Sequence, residues 1–278
     1  MNLTDPKQLK SLLSRFHIRP DDRLGQNFLI SQEVLEQILS AAELTKNDVV
    51  LEIGAGIGTL TRELLSRCKL VIAYELDRAL IKPLKLVLGD ANNLKIVQGD
   101  FLKADAALLD DLARGGGFKV VANIPYYITG QIIKKLLQHG PESIILLLQH
   151  EVAERICAAP GQLSLLALSV QYFGTPRLTG IVPKESFFPE PQVDSAILKI
   201  TLSPKQEHKV GPGEFFKIAR IGFSARRKTL LNNLSAGFHL SKSEAEKKLL
   251  SAGISPNQRA QELSIAQWEQ LAGMFRTK

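Results

Sequence analysis

Asn123, Pro125 and Tyr126 close an apolar run, "VVANIPYY" at residues 120–127. An amide, a rigid ring and a flat aromatic in that order could grip a base carrying an exocyclic amine. Such an amine is a poor nucleophile, because its lone pair is delocalised into the ring. The Asn123 side-chain oxygen and the Ile124 carbonyl could each accept one of its hydrogens and draw the nitrogen toward tetrahedral geometry. Pro125 fixes the backbone that aims the carbonyl. Tyr126 offers a face for stacking, worth about 1–3 kcal/mol per base. A turn accounts for Asn123 and Pro125, but not for two successive aromatics, which are costly at a loop tip unless they pack. A second stacking face could come from Phe187 or Phe188 in "SFFPEPQVDS"; the competing reading makes both rings core.

A cofactor site is expected beside this one. Gly54, Gly56 and Gly58 form a G-x-G-x-G turn in "LEIGAGIGTLT", with Thr59 where a dinucleotide fingerprint has its third glycine. Glu52 leads the turn, and a carboxylate there would repel phosphates. Glu75 ends the next strand, about twenty residues on, where an acid can accept from both ribose hydroxyls. Asp100 ends the third strand and could accept from an adenine amine. Each acid alone could equally be a helix cap, and the turn could be purely structural. Together they enclose a phosphate-free adenosine with a charged amino-acid end, which describes S-adenosylmethionine. Gly54, Gly56, Glu75 and Asp100 are thus the candidate cofactor residues.

These residues need a sheet to position them. "DVVLEIG", "LVIAYELD", "LKIVQGD", "FKVVANIP" and "SIILLLQ" alternate with helical patterns, which predicts an α/β fold with parallel strands and helices on both faces. Continuous rather than alternating apolar runs fit strands buried on both sides. "RLTGIVPKESFFPEPQVDSAILKITL" predicts a closing hairpin, with Pro189 and Pro191 in its connection. "LSLLALSVQYF" reads as a helix before it.

The chain has 278 residues and 45% apolar content, enough for a large domain and a small one. It carries no run suited to a membrane helix and no signal-peptide pattern. Cys68 and Cys157 match no disulfide or metal spacing. A soluble, cytoplasmic, monomeric protein without a metal is expected. The net charge is +7, and all of it lies beyond residue 204, where 13 Lys and Arg face 6 Asp and Glu.

A polar Pro/Gly stretch sets the domain boundary near residue 205, giving a catalytic domain over 1–204 and a helical one over 205–278. In the second, "EFFKIARIGFSARRKTLLNNL" reads as a long amphipathic segment. Ser241-x-x-Glu244, Ser255-Pro256-x-Gln258 and Ser264-x-x-Gln267 are helix-start signals. Arg220, Arg226, Arg227 and Lys228 would face outward, either as a solvated face or as phosphate contacts for RNA.

"LGQNFL", "LEIGAGIGTLT", "YELD", "QGD", "NIPYY", "FFPEPQVDSA" and "FSARRKTLLNNL" occur in the order seen in the bacterial small-subunit (16S) rRNA adenine N6,N6-dimethyltransferase family, which this chain resembles over nearly its whole length. The resemblance implies a seven-stranded Rossmann-like class I methyltransferase sheet plus a small helical domain. It implies dimethylation of N6 on two adjacent adenosines near the 3′ end of 16S rRNA in the 30S particle, from S-adenosylmethionine. It places Asn27 and Leu29 over the cofactor, Gly54 at its amino-acid end, Glu75 on the ribose and Asp100 on the adenine. Asn123 would touch both cofactor and target amine, and Phe187 rather than Phe188 would be the second stacking face. The chain departs from the family pattern at Ala55, His150 and Gln162. A related 23S rRNA dimethyltransferase of the macrolide-resistance type would share these features. A non-catalytic assembly factor on the same fold is the remaining alternative. A DNA adenine methylase is disfavoured, since no separate target-recognition segment is present.

Overall fold

The computed structural model describes residues 1–203 and 208–275. They form two compact units, one of residues 1–153 with 176–202, the other of 154–175 with 203–278. The boundary expected near residue 205 lies outside the described residues, but the second unit is larger than a C-terminal tail. Leu163, Ala167, Leu168 and Tyr172 share one core cluster with Phe215, Leu230 and Trp268, which draws the preceding helix into that unit. The first compact unit thus omits residues 154–175 of the 1–204 span that sequence suggests for a catalytic domain.

The first unit holds nine strands: β1 (Phe28–Leu29), β2 (Val49–Ile53), β3 (Leu70–Glu75), β4 (Leu94–Gln98), β5 (Lys119–Asn123), β6 (Ser143–Gln149), β7 (Gly174–Val182, whose first two residues belong to the other unit), β8 (Phe187–Phe188) and β9 (Ser195–Leu202). Seven make one sheet in the order β4-β3-β2-β5-β6-β9-β7. Strands β2 to β6 pair in parallel, and β9 runs antiparallel to β6. The expected closing strands thus finish the sheet. β6 is buried along nearly its whole length, whereas edge strand β7 alternates exposed and half-buried positions between buried ends, as strands with two and one covered faces should. A short ribbon pairs β1 with β8, Phe28 opposite Phe188 and Leu29 opposite Phe187.

Helices α1 (Pro6–Arg15), α2 (Gln32–Ala42), α3 (Thr59–Leu65), α4 (Arg78–Leu88), α5 (Ala106–Arg114) and α6 (Thr129–His139) belong to this unit. Asp5, Ser31, Asp77 and Asp105 cap four of them with side-chain oxygens, each satisfying an amide the first turn leaves open. The chain runs outward from β2 through β3 to β4, then returns to place β5 on β2's other side. That reversal is a topological switch point, and ligands of open α/β sheets lie beyond the carboxyl ends of the strands there.

The second unit contains α8 (Leu165–Phe173), α9 (Pro212–Gly222), α10 (Leu230–Phe238), α11 (Lys242–Ser251) and α12 (Ile265–Met274), after α7 (His150–Ile156). Ser241 and Ser264 open α11 and α12 with reciprocal capping boxes. Ser255 starts no helix: its amide bonds the Gln258 side chain, but the Gln258 carbonyl accepts from the Leu230 amide instead of continuing a helical ladder. The segment read as one amphipathic helix is broken after Gly222. A Cβ at Gly222 would collide with the Trp268 ring, so glycine is needed at the last residue of α9 where that ring packs. No helix of the described residues is long and apolar enough to cross a membrane.

Candidate active site

One cleft opens at the switch point. Asn27, Leu29, Gly54, Gly56, Glu75, Asp100, Asn123 and Pro125 all line it, so most of the residues singled out from sequence converge. Three of the residues expected to meet the target base do not line it: Ile124, Tyr126 and Phe187.

The glycine turn is built by backbone geometry. Gly54, Gly56 and Gly58 take φ of 80°, 59° and 91°, a region that disfavours other residues. A Cβ on Gly54 would lie 3.3 Å from the Asn123 carbonyl oxygen, so the turn rests directly on the end of β5. Glu75 locks it in place: its Oε2 accepts from the Gly56 amide at 2.7 Å and its Oε1 from the Asp77 amide at 2.7 Å. Burial pushes the Glu75 carboxyl above its ordinary range, against those two amides. Asp100 does double duty. Its Oδ1 caps the following turn through the Leu102 amide at 2.9 Å, and its other oxygen has no hydrogen-bond partner among the described residues, leaving an acceptor at the cleft.

The "GQNFL" loop, which no local pattern could interpret, closes the cleft from above. Gly25, at φ 62°, packs so tightly that a Cβ there would lie 3.1 Å from the Pro125 Cβ. Gln26 Nε2 donates to Asp77 Oδ2 at 2.8 Å. The Asn27 carbonyl accepts from Asn123 Nδ2 at 3.1 Å. Phe28 lies beneath Gly56, and Leu29 anchors the loop in the core.

Tyr126 is half-buried, and its hydroxyl shares a 2.6 Å hydrogen bond with Oγ of the fully buried Ser195 on β9. Burial raises its phenol pKa. Nothing local in the sequence marks Ser195, the first residue of β9, because its partner lies 69 residues away. Tyr127 is the ring at the cleft mouth, 58% exposed. Phe187 needs a correction. It is 2% exposed and packs with Val121, Leu147 and Ile197, because pairing with Leu29 turns it into the core. It presents no face for a base in this structure. Phe188 is the half-exposed ring of the pair.

Arg220, Arg226, Arg227 and Lys228 are exposed and have no ion-pair partner among the described residues. Only Arg220 sits on a helix. The other three occupy the turn between α9 and α10, correcting the helical face expected for them. Asn233, 4% exposed, holds that turn by donating to the carbonyls of Gly222 at 2.6 Å and Ala225 at 3.1 Å.

The electrostatics of the cleft test the expected cofactor. Glu52, Glu75, Asp77 and Asp100 line it, and no Lys, Arg or His is among its described lining residues. A phosphate ligand would find no cation; a ligand bearing a sulfonium and an ammonium would find acids. Glu52 is 1% exposed and its Oε2 has no hydrogen-bond partner. Burial, with the nearby Glu75 charge, pushes its carboxyl up to about 8. The unpartnered Glu52 Oε2, buried beside the glycine turn, leaves a polar atom for the amino-acid end of such a ligand. Fold and cleft define a class I S-adenosylmethionine-dependent methyltransferase.

The chain belongs to the ribosomal RNA adenine dimethylase family, whose profile matches residues 17–276. It is 43% identical to the ribosomal RNA small subunit methyltransferase A of Dehalococcoides mccartyi strain CBDB1, over 95% of this chain and 91% of that one. It is 37% identical to the protein of that name from Clostridioides difficile strain 630, over 99% and 98%. Among solved structures it is similar to a Plasmodium falciparum dimethyladenosine transferase (TM-score 0.74, 28% identity, 88% and 95% covered). The 23S rRNA methyltransferase ErmE is also similar (TM-score 0.71, 27% identity, 89% and 99% covered). The chain is therefore an S-adenosylmethionine-dependent rRNA adenine dimethyltransferase.

Proposed function

We propose that this enzyme dimethylates N6 of two adjacent adenosines near the 3′ end of 16S rRNA, on the 30S particle, and so acts in small-subunit biogenesis. The observation that carries the reading is a cation-free acidic cleft meeting Asn123 at one switch point. Its support for the small subunit comes from relatives named for that subunit, matched over nearly their full length.

In this reading Asn27, Leu29, Gly54, Gly56, Glu75 and Asp100 hold the cofactor, which when bound supplies an electrophilic methyl group. Asn123 Oδ1 and the Ile124 carbonyl accept the two N6 hydrogens of the target, exposing its lone pair. Tyr126, fixed through Ser195, provides the stacking face. The methylated nitrogen is acidic enough to release its proton to water, so the chain contributes position and electrostatics rather than a strong base. Arg220, Arg226, Arg227 and Lys228 contact phosphates and orient the subunit without reading its sequence.

The test is radiolabelled methyl transfer to 30S subunits from an unmethylated strain and, in parallel, to protein-free 23S RNA, with mapping of the modified bases. Label on two adjacent 16S adenosines is expected. Label confined to protein-free 23S RNA would move the enzyme to the ErmE-like substrate, and no label on either RNA would leave a non-catalytic assembly factor.

A further inference from the structure

A second groove lies apart from the cleft, lined by Lys10, Leu13, Ser14, His17, Arg19 and Phe188, with Ile18 and Pro20 completing it. We infer that it is a subsite for single-stranded RNA, holding the backbone and one unstacked base of the nucleotides that flank the target adenosine. The inference deepens the function proposed above and rests on it for the identity of the strand.

Composition points to this ligand. Lys10, His17 and Arg19 are exposed, and none has an ion-pair partner among the described residues. Two of the nearby acids are engaged elsewhere, Asp21 with Arg23 at 2.8 Å and Glu190 with Lys184 at 2.7 Å. Phe188 is half-exposed, with Lys10 Nζ 4.7 Å from its ring centroid. Cations beside an accessible aromatic ring are the arrangement by which proteins hold single-stranded nucleic acid, phosphates on the cations and bases on the ring. The groove volume, about 510 Å3, falls within the usual range for small-ligand sites, about 300–1000 Å3.

Its position points the same way. The β1–β8 ribbon forms a wall shared with the cofactor cleft. Phe28 lines the cleft and pairs with Phe188, which lines the groove. A strand whose target base is turned into the cleft would carry its neighbouring nucleotides across this ribbon. The groove is also firmly built. Leu9, Leu12 and Leu13 of α1 pack with Phe28, Ile57 and Leu80 beneath it. His17 takes φ 54° at the end of α1, where glycine would cost least, and so keeps an imidazole on the rim.

The experiment uses the full chain and a fluorescein-labelled RNA hairpin with two adjacent loop adenosines. Binding is measured across a salt series for wild type, Lys10→Ala/Arg19→Ala, Phe188→Leu and Phe188→Tyr. The double variant should bind about tenfold more weakly and lower the salt slope by about 1.4, the value for two single-strand phosphate contacts. Phe188→Leu should weaken binding severalfold, and Phe188→Tyr, which keeps the ring, should restore it. Unchanged cofactor affinity by calorimetry shows that the variants are folded. Wild-type affinity and slope in the double variant, or no wild-type binding to the hairpin, overturns the subsite. Failure of the functional reading looks different: the hairpin binds and responds to the variants, while unmethylated 30S subunits take no methyl groups.

Discussion

Asn123 Nδ2 donates a hydrogen bond to the Asn27 carbonyl at 3.1 Å, across 96 residues of sequence. That bond turns the amide so that its oxygen is left as an acceptor on the cleft side. Removing it should damage the chemistry and spare the cofactor. Asn123→Ala should lower single-turnover methyl transfer to unmethylated 30S subunits by about 10²–10³-fold, the usual loss for one preorganised polar contact to a reacting centre. Cofactor affinity by calorimetry should change by less than about tenfold. Substantial retained transfer would mean that another group accepts the amine.

Glu75 makes the strongest case for the cofactor side, since both oxygens already organise the glycine turn through Gly56 and Asp77. Glu75→Gln replaces one acceptor with a donor that must face a backbone amide. A charge-assisted bond is worth about 1.5–3 kcal/mol, so cofactor affinity should fall about 10- to 150-fold. A calorimetric constant like that of wild type would remove Glu75 from the site.

The parts of this fold that sequence disclosed are those written locally. Uninterrupted apolar strands, a glycine turn after the first parallel strand, acids ending the next two and an amide ending β5 are short-range patterns, and the parallel order brings them together without further information. Gln26 and Asn27 find partners 51 and 96 residues away, so their roles exist only after folding. Phe187 and Phe188 are identical in type; pairing with β1, not composition, decides which is buried. The apolar stripe from Phe215 to Leu234 continues through a break that Asn233 pins from within the segment and against which Trp268, remote in sequence, packs.

Tyr126 combines a ring with a hydroxyl tied to Ser195, and two substitutions separate them. Tyr126→Phe keeps the ring and removes one neutral hydrogen bond, about 0.5–1.5 kcal/mol, so kcat/KM should fall no more than about tenfold. Tyr126→Leu removes the stacking face, about 1–3 kcal/mol, and should cost about 5- to 150-fold. If Phe proves the worse replacement, the hydroxyl rather than the ring serves the reaction.

Arg226, Arg227 and Lys228 project from a turn that Asn233 pins from beneath. Replacing all three with Ala should weaken binding to 30S subunits and reduce the salt slope by about 2–3, according to whether single-stranded or duplex phosphates are contacted. Cofactor affinity should be untouched. Subunit binding with an unaltered salt slope would make these cations a solvated surface only.

Glu52 should make stability depend on pH in a direction opposite to that of a salt-bridged acid. Burial pushes its folded pKa up from 4.5 to about 8, so the folded chain keeps a proton that the unfolded chain gives up. Unfolding releases that proton between about pH 4.5 and pH 8, and stability from this group is full below that window and lost as pH rises through it. Glu52→Gln has nothing to release. Its stability relative to wild type, read from denaturant midpoints, should therefore be nearly constant below about pH 4.5 and grow steadily to about pH 8, with no further change above. A gap that does not vary with pH would show that Glu52 is ionised in the folded protein, and the cleft would then need a cation to accompany it.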